Sequence, residues 1–390
     1  MDSITALLSG ALEEVRPLTD GAPADYIPEL ATVDADRLAL AVVGPHGRVW
    51  SAGDDEVQFT IQSMSKPFVL ALALAERGRD AVLAKVGAEP SGEPFNAISL
   101  EAGTGRPANP MINAGAIATT GLVPGDSVDE RAGRILALFS RFAGRELEVD
   151  ESVYASESAT GDRNRALAHL LRSYNVLDAP VDTVVESYFR QCSVLVSVRD
   201  LAVMAATLSF GGFNPVTAER VIEESVARDV LSLMASCGMY DYSGEWLLRV
   251  GLPAKSGVSG GLIAVAPSQF GVAAFSPRLD RHGNSVRAIA VVEQLAERLG
   301  MHMLEPHESI AVPAITVHAS EGGPVVRLNG ELGFAGAERV FAVLRELATN
   351  LPNGSLVTLD AREVERLHPG ALVALETEFD GLPLGFRIQR

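Results

Sequence analysis

The chain has 390 residues, of which 47% are hydrophobic and 21% charged, a globular composition that excludes wholesale disorder, collagen and coiled coil. Lys and Arg number 32 and Asp and Glu number 50, so the net charge is 32 − 50 = −18. A chain this acidic is a poor partner for nucleic acid and is repelled by anionic lipid surfaces.

Length and local composition predict two or three domains and an intracellular location. Residues 1–15 contain no Lys or Arg, whereas a secretory signal begins with a positive region. The longest strongly apolar stretch, Pro67 to Ala75, is much shorter than the about 20 residues of a membrane-spanning helix. Cys192 and Cys237 form no disulfide framework, so we expect a cytoplasmic protein with buried, inert thiols.

Hydrophobic periodicity predicts one continuous body of mixed strands and helices over residues 1–303. Leu38–Val43 and Gly47–Ser51 are predicted strands. A long helix is predicted over Ser65–Glu76, because Pro67 falls in its first turn, where proline is tolerated. The other predicted elements are two amphipathic helices and a strand that runs into a helix: Arg131–Phe142, Arg163–Arg172 and Val286–Leu299.

The composition changes after Met303, and a second, smaller domain is predicted. Residues 304–314 contain two prolines and no helical period, which predicts a linker. Residues 315–390 alternate between strand and helix patterns, which favours a small α/β domain. Its predicted elements are a strand, a turn, a helix, a strand, a helix and a final strand end: Val325–Leu328, Asn329–Gly330, Phe334–Leu347, Leu356–Leu359 and Gly370–Phe379, with the last strand unbounded.

Two motifs far apart in the chain favour nucleophilic catalysis by a serine. Ser63 and Lys66 form a Ser-x-x-Lys pair at the start of a predicted helix, on neighbouring positions of one face. A lysine of lowered pKa can remove the proton of a serine, which is otherwise a poor nucleophile. The second motif, Lys255-Ser256-Gly257, resembles the Lys-Thr-Gly element of penicillin-recognising enzymes. Alone, the motifs fit a helix cap and a tight hairpin; together and in this order they favour catalysis.

Several polar residues of the middle of the chain stand in apolar settings. Taken singly, each has an ordinary explanation as a turn former, a solvated carboxylate, a helix cap or the edge of a core. These residues are Asn113, Glu157, Asn164, Tyr188 and Tyr240.

Taken together, the motifs resemble the serine-dependent glutaminases, which have a penicillin-binding-protein and β-lactamase-like fold. The resemblance covers roughly residues 4 to 300 and includes a segment similar to the family's N-terminal Asp-Tyr-Ile-Pro sequence, Gly21–Ala31. Pro67 and Ser259 depart from the family's pattern, and Ser259 would add a side chain near the oxyanion region. The motifs that match in order are Ser63–Lys66, Pro110–Ile117, Ser156–Asn164, Tyr188–Val194, Met239–Gly244 and Lys255–Gly261.

The resemblance implies an α+β fold, with a β-lactamase-like body of an antiparallel sheet, flanking helices and a helical subdomain. It also implies hydrolysis of L-glutamine to L-glutamate and ammonia through an acyl-enzyme. Ser63 would be the nucleophile and Lys66 its base, with Lys255 helping to keep Lys66 neutral. Tyr188 and Tyr240 would lie at the reacting centre, and Tyr240 is favoured as the proton donor to the leaving ammonia.

A pocket for glutamine needs an anion for the α-ammonium group and donors for the α-carboxylate. By resemblance, Glu157 would bind the ammonium group, while Asn113, Asn164 and Tyr188 would bind the carboxylate or the amide. The backbone N–H groups of Ser63 and Val258 would form the oxyanion hole. Tyr26 would close one wall of the pocket.

No metal and no other cofactor are expected. The histidines form no HxxxH or HxH pair, and the chain has no Walker loop and no Rossmann glycine fingerprint. The expected small-molecule partner is L-glutamine, with no nucleic acid and no membrane. The resemblance further suggests a homo-oligomer, a dimer or a tetramer.

Residues 315–390 resemble a STAS domain through Val325–Leu332 and Leu356–Asp360. Regulatory STAS domains carry a phosphorylatable serine just before their second helix. The corresponding residues here, Leu367–Gly370, contain no hydroxyl group, so we expect no such switching. A docking or oligomerisation module is predicted, with a protein as its candidate partner.

Two other functions compete with the glutaminase interpretation. A β-lactamase or D-Ala-D-Ala peptidase would act outside the cytoplasm and would not need Glu157 and Asn164 as an amino-acid clamp. A non-catalytic glutamine sensor that signals through the tail would not need Ser63, Lys66 and Tyr240.

Overall fold

The computed structural model describes residues 3–93, 97–304, 315–320, 322–332, 334–367 and 381–389. The chain divides into two compact units, Met1–Glu305 and Pro306–Arg390. Apart from Leu304, the predicted linker lies outside the described residues. In the part of the chain that is described, no helix has the length and apolar composition needed to cross a bilayer.

The first unit is built on a five-stranded antiparallel sheet. Its strands follow the order β2-β1-β9-β8-β7. Two short antiparallel ribbons pair β3 with β4 and β5 with β6. The strands are β1 Ala39–Val43, β2 Val49–Gly53, β3 Phe59–Thr60, β4 Leu195–Val196, β5 Phe213–Asn214, β6 Glu219–Arg220, β7 Ala254–Ser256, β8 Gly261–Ala266 and β9 Phe270–Phe275.

Helices cover both faces of this sheet and also form a separate helical subdomain. They are α1 Ser3–Val15, α2 Pro28–Ala31, α3 Lys66–Arg77, α4 Arg79–Lys85, α5 Asn113–Leu122, α6 Val128–Ala143, α7 Glu151–Thr160, α8 Asp162–Ser173, α9 Val181–Cys192, α10 Val198–Ser209, α11 Glu224–Cys237, α12 Ser243–Arg249 and α13 Val286–Leu299.

The sheet separates two apolar cores, because successive residues of a strand face opposite sides. Ala41 of β1 packs into one core with Phe68 of α3 and Leu201 of α10. Leu40, its neighbour, packs into the other core with Leu12 of α1 and Val291 of α13. Burial on both faces makes the central strands almost wholly apolar, as β8 shows.

The helical subdomain has a core of its own, formed by α5, α8 and α9. Ile117, Leu171 and Phe189, one from each of these helices, are fully buried in it. An antiparallel sheet with flanking helices and a helical subdomain confirms the predicted α+β class and fits a β-lactamase-like body.

Two predicted elements of the first unit were wrong in detail. The predicted strand over Gly47–Ser51 begins two residues later, at Val49, because Gly47 has a φ of +70° in the preceding turn. Val286–Leu299 is a single helix with no initial strand. Ser285 caps its first turn by accepting a hydrogen bond from the Ala288 N–H, and Gly300 ends it in a left-handed conformation.

The second unit contains a four-stranded sheet of order β10-β11-β12-β13, in which only β10 runs antiparallel to its neighbour. A single described helix, α14, contributes Val340 and Leu344 to a core shared with Val326 and Leu359. The elements are β10 Thr316–His318, β11 Val325–Leu332, α14 Phe334–Asn350, β12 Leu356–Leu367 and β13 Gly385–Gln389.

The predicted turn at Asn329–Gly330 was wrong. Both residues lie inside β11, where Gly330 has a φ of +81° and the pairing with β12 shifts register. A glycine of positive φ in a strand marks a bulge, which sequence alone does not distinguish from a hairpin turn. The predicted helix Gly370–Phe379 lies outside the described residues.

Candidate active site

Seven residues singled out in the sequence line one cavity of the first unit. The cavity has a volume of about 300 Å³ and is enclosed mainly by α7, α8, α9 and the turn that precedes α3. The seven residues are Tyr26, Ser63, Asn113, Glu157, Asn164, Tyr188 and Val258. The three other predicted residues do not line the cavity: Lys66 and Tyr240 contact residues of its wall, and Lys255 lies against the Tyr240 ring.

Ser63 lies in a 3₁₀ turn, Gln62–Ser65, that leads directly into α3. The backbone N–H of Lys66 donates to the Ser63 carbonyl, and this hydrogen bond closes the turn between the two residues of the motif. Gln62 has a φ of +48°, a left-handed conformation that costs a non-glycine residue about 1–2 kcal/mol. Ser65, not Ser63, is the N-cap residue of α3, so the helix-cap explanation of Ser63 was wrong.

Lys66 is a buried amine with only uncharged hydrogen-bond acceptors. Its side chain is 1% exposed, and Nζ donates to Asn113 Oδ1 at 2.7 Å and to the Met111 carbonyl at 3.2 Å. Burial lowers the pKa of Lys66 to about 7. A neutral amine has two N–H bonds and one lone pair. Since both N–H bonds have acceptors, the lone pair of neutral Lys66 is left to accept a proton.

Lys255 is a second buried amine near the same centre. It is fully buried and donates to the Ser256 carbonyl at 2.7 Å. Burial, and secondarily repulsion from Lys66, lowers the pKa of Lys255 well below its usual value. Burial is the main cause that lowers the pKa of Lys66, and the expected help of Lys255 in keeping Lys66 neutral stays a prediction.

Tyr240 connects the two lysines with Ser63. The Lys255 amine lies 3.8 Å from the centroid of the Tyr240 ring and the Lys66 amine 6.0 Å from it. The Tyr240 hydroxyl has a side-chain hydrogen bond with Ser63. Burial raises the pKa of Tyr240 to about 12, so its hydroxyl is protonated at neutral pH. Like Gln62, Tyr240 has a left-handed backbone, with a φ of +59°.

Glu157 supplies a buried carboxylate to the wall of the cavity. The Tyr26 hydroxyl donates to Glu157 Oε1 at 2.8 Å, and Gln62 Nε2 donates to the same oxygen at 3.1 Å. Burial raises the pKa of Glu157, against the effect of these two hydrogen bonds. A cation bound beside Glu157 would offset the cost of burying this charge.

Asn113 links the wall of the cavity to Lys66. Its Nδ2 donates to Asn164 Oδ1 at 3.1 Å, and its Oδ1 accepts from the Tyr188 hydroxyl at 3.4 Å as well as from Lys66. Burial raises the pKa of Tyr188 well above its usual value, so Tyr188 is also a donor. Asn113, Asn164 and Tyr188 therefore present amide and hydroxyl groups to a polar ligand.

Sequence reasoning missed five residues of the cavity wall: Gln62, Thr160, Gly161, Arg163 and Cys192. Gln62 directly precedes the predicted nucleophile, and Cys192 lies in the motif that begins at Tyr188, so position was a signal for both. Both cysteines are buried and unpaired, as predicted. Burial raises the pKa of Cys192 to about 12, which keeps its thiol protonated. Ser259 is buried but does not line the cavity.

Within the described residues, no group of three or more His, Cys, Asp or Glu side chains is arranged to hold a metal ion.

Comparisons with known proteins identify the family. Residues 21–304 match the glutaminase family. A glutaminase of Corynebacterium glutamicum is 45% identical over 372 residues, which cover 95% of this chain and 89% of the relative. A glutaminase of Clavibacter michiganensis subsp. michiganensis is 53% identical over 278 residues, 71% of this chain and 85% of the relative.

A solved structure resembles the whole chain. The crystal structure of Mglu in its glutamate form has a TM-score of 0.90 and 39% identity, and it covers 100% of this chain and 99% of its own. The likeness to Mglu and to the Corynebacterium relative thus includes the second unit, whereas the match to the Clavibacter relative covers less of the chain. The chain therefore belongs to the glutaminase family and is an enzyme that hydrolyses glutamine.

Proposed function

We propose that the enzyme hydrolyses the side-chain amide of L-glutamine through an acyl-enzyme on Ser63, with Lys66 as the base. The observation that carries this proposal is the hydrogen bonding of the buried Lys66 amine. With a pKa of about 7, a large fraction of the amine is neutral at pH 7. The two N–H bonds of the neutral amine donate to uncharged acceptors, Asn113 and the Met111 carbonyl, so its lone pair can accept a proton. Lys66 directly follows the turn that carries Ser63 at the cavity.

In the acylation step, Ser63 Oγ attacks the amide carbon of the glutamine side chain and Lys66 takes its proton. The amide oxygen becomes an oxyanion, which the backbone N–H groups of Ser63 and Val258 would stabilise. The C–N bond then breaks. The leaving nitrogen receives the hydroxyl proton of Tyr240 and departs as ammonia, and the proton on Lys66 restores the Tyr240 hydroxyl. A pKa of about 12 keeps the Tyr240 hydroxyl protonated, so it has a proton to donate at neutral pH.

In the deacylation step, a water molecule attacks the glutamyl ester and Lys66 accepts the proton of that water. The ester C–O bond breaks, and Lys66 returns the proton to Ser63 Oγ. Glutamate is released with the enzyme in its starting state. The net reaction consumes one glutamine and one water; the γ-carboxylic acid that forms ionises to glutamate, and the ammonia takes up a proton to become ammonium.

The rest of the cavity would bind the amino-acid end of the substrate. Glu157 would accept the α-ammonium group through its second oxygen, because Oε1 already accepts from Tyr26 and Gln62. Asn113, Asn164 and Tyr188 would donate to the α-carboxylate or the amide. The existence of Mglu in a glutamate form supports glutamate as the product that such a cavity accommodates.

Ammonia release from L-glutamine tests the proposal, with L-asparagine and nitrocefin as comparison substrates. Ser63→Ala should abolish turnover, and rapid quenching of the wild type followed by mass spectrometry should show a glutamyl adduct on the peptide that contains Ser63. Turnover retained by Ser63→Ala would contradict the acyl-enzyme. Tight binding of glutamine by a wild type that releases no ammonia would favour the sensor, and hydrolysis of nitrocefin would favour the β-lactamase-like alternative.

We also propose that the second unit is a STAS-like docking or oligomerisation module of a cytoplasmic homo-oligomer, with a possible protein partner. Parallel pairing of β11 with β12 and of β12 with β13, and a helix packed on their apolar face, support this proposal. Light scattering of the full chain should give the mass of a dimer or a tetramer. A monomer at micromolar concentration would contradict it.

A further inference from the structure

Two separate side-chain contacts join residues 26–32, called here the Tyr26 segment, to helix α7. At the first residue of the segment, the Tyr26 hydroxyl donates a hydrogen bond to Glu157 Oε1 at 2.8 Å. Three residues later, Glu29 Oε1 accepts from the hydroxyls of Ser152 and Ser156, at 2.8 Å and 2.9 Å. The first contact lies at the cavity and the second lies outside it, because Glu29 does not line the cavity.

The Glu29 contact is formed by three groups in matched positions. Ser152 and Ser156 are four residues apart, so their hydroxyls lie on one face of α7. Both donate to the same carboxylate oxygen, and the hydrogen bond from Ser152 is the main cause that lowers the pKa of Glu29. An ionised acceptor makes hydrogen bonds roughly twice as strong as those between neutral groups.

Apolar contacts lie beside this carboxylate contact. Ile27 and Leu30 are buried against Val153 of α7 and against Val258. The segment therefore contacts both the helix that carries Glu157 and the residue whose N–H group faces the reacting amide in the proposed mechanism.

The segment has little stability of its own. Its helix, α2, is a single turn of four residues without a side-chain cap, and helices so short are unstable in isolation. Tyr26 as a whole residue remains 46% exposed. Tertiary contacts with α7 must therefore fix the position of Tyr26.

We propose that Glu29 is a positioning residue for substrate binding, which holds the Tyr26 segment on α7 so that Tyr26 closes the cavity beside Glu157. This rests on the proposed role of Glu157 as the acceptor of the substrate's ammonium group. Glu29 acts through Ser152, Ser156 and Tyr26, and it makes no contact with the substrate. Its loss should weaken binding of glutamine and glutamate while the chemical step at Ser63 continues.

The experiment compares kcat and KM of four variants of the full chain: Glu29→Ala, Ser152→Ala/Ser156→Ala, Tyr26→Phe and Thr32→Ala. Thr32 is the control, because its exposed hydroxyl donates only within the same segment, to the Pro28 carbonyl. Glu29→Ala and the double serine variant should each raise KM about tenfold and leave kcat within twofold. Thr32→Ala should match the wild type.

Combined variants separate positioning from general loss of structure. Adding the two serine changes to Glu29→Ala should raise KM no further, and adding Glu29→Ala to Tyr26→Phe should raise it less than twofold. The proposal would be overturned if the increases in KM of the single variants multiplied in the combined variants. It would also be overturned if Glu29→Ala left KM unchanged. If Glu29→Ala lowers Tm sharply, Glu29→Gln provides the decisive comparison, since an amide oxygen still accepts both hydroxyls and should return KM to within threefold of the wild type.

Calorimetric binding of L-glutamate to variants in a Ser63→Ala background gives the same comparison without turnover. A weakening of binding by Glu29→Ala would support the positioning role even if Ser63 were not the nucleophile. Binding unaffected by Glu29→Ala would overturn it while the acyl-enzyme remained intact. The two failures are therefore distinguishable.

Discussion

The side-chain oxygen of Asn113 lies 2.7 Å from the buried amine of Lys66, and no carboxylate takes its place. Asn113 also lines the cavity, where its nitrogen donates to Asn164. One amide therefore contacts both the proposed base and the wall of the substrate pocket.

Replacing this amide by a carboxylate should raise the pKa of Lys66, because an adjacent negative charge favours the charged amine. We expect Asn113→Asp to lower kcat/KM at least tenfold at pH 7 and to recover partly towards pH 9. Asn175→Asp is a matched control, since Asn175 is an exposed residue at the end of α8. A pH profile identical to that of the wild type would contradict the role of the uncharged acceptor.

The wild-type pH dependence should reflect the pKa of Lys66, which is about 7. The base works only when neutral, so kcat/KM should rise tenfold per pH unit below this pKa and level off above it. The measurement is kcat/KM from pH 5 to 9 in buffers of constant ionic strength. A profile flat from pH 6 to 8 would show that Lys66 is not the titrating base.

The burial of Lys66 should also lower the free energy of unfolding. A pKa near 7 in the folded state, against about 10.4 in the unfolded chain, means that the unfolded state binds more protons between these pH values. Stability should therefore rise with pH across this window, and the penalty at pH 7 is about 4 kcal/mol.

Lys66→Met should remove this penalty together with the activity. We expect a higher Tm than that of the wild type at pH 7, and a difference that shrinks as the pH approaches 10. Differential scanning calorimetry at several pH values measures both. A variant less stable than the wild type at every pH would contradict the argument.

Tyr240→Phe tests the proposed proton donor. The substitution keeps the ring that faces Lys255 but removes the hydroxyl bonded to Ser63. Loss of a general acid typically lowers the rate 10²–10⁴-fold, and we expect a fall of this order in kcat with little change in Tm. Tyr242→Phe, in the same 3₁₀ turn, is the control and should stay within twofold. A Tyr240→Phe variant with near wild-type kcat would exclude Tyr240 as the donor.

Local sequence pattern was sufficient to predict the arrangement of residues that are close in sequence. Ser63 and Lys66 are three apart, and their turn and helix follow from Pro67 in the first helical turn. The α13 error was also avoidable, because Ser285 and Gly300 are ordinary start and stop signals for a helix. The apolar run that begins at Val286 fits a strand as well as a helix, because periodicity is ambiguous over short runs.

Local sequence pattern could not predict contacts between distant parts of the chain. Tyr26 and Glu157 are 131 residues apart, and tertiary packing, including that of α2 on α7, brings them together. The cause of the low pKa of Lys66 was likewise hidden. Charge can be read from the sequence, but the burial of Lys66 depends on how α3, α5 and α9 enclose it.

The left-handed backbones of Gln62 and Tyr240 have a consequence for laboratory evolution of this enzyme. Glycine would relieve such a conformation by about 1–2 kcal/mol, but Gln62→Gly and Tyr240→Gly would also remove buried side chains, and the cavity left by a buried aromatic ring alone costs about 3–5 kcal/mol. Each would delete a side chain that contacts the reacting centre or the Glu157 carboxylate. Selection for thermal tolerance alone should therefore retain both side chains, because the packing that serves the reacting centre also holds the strained backbone in place.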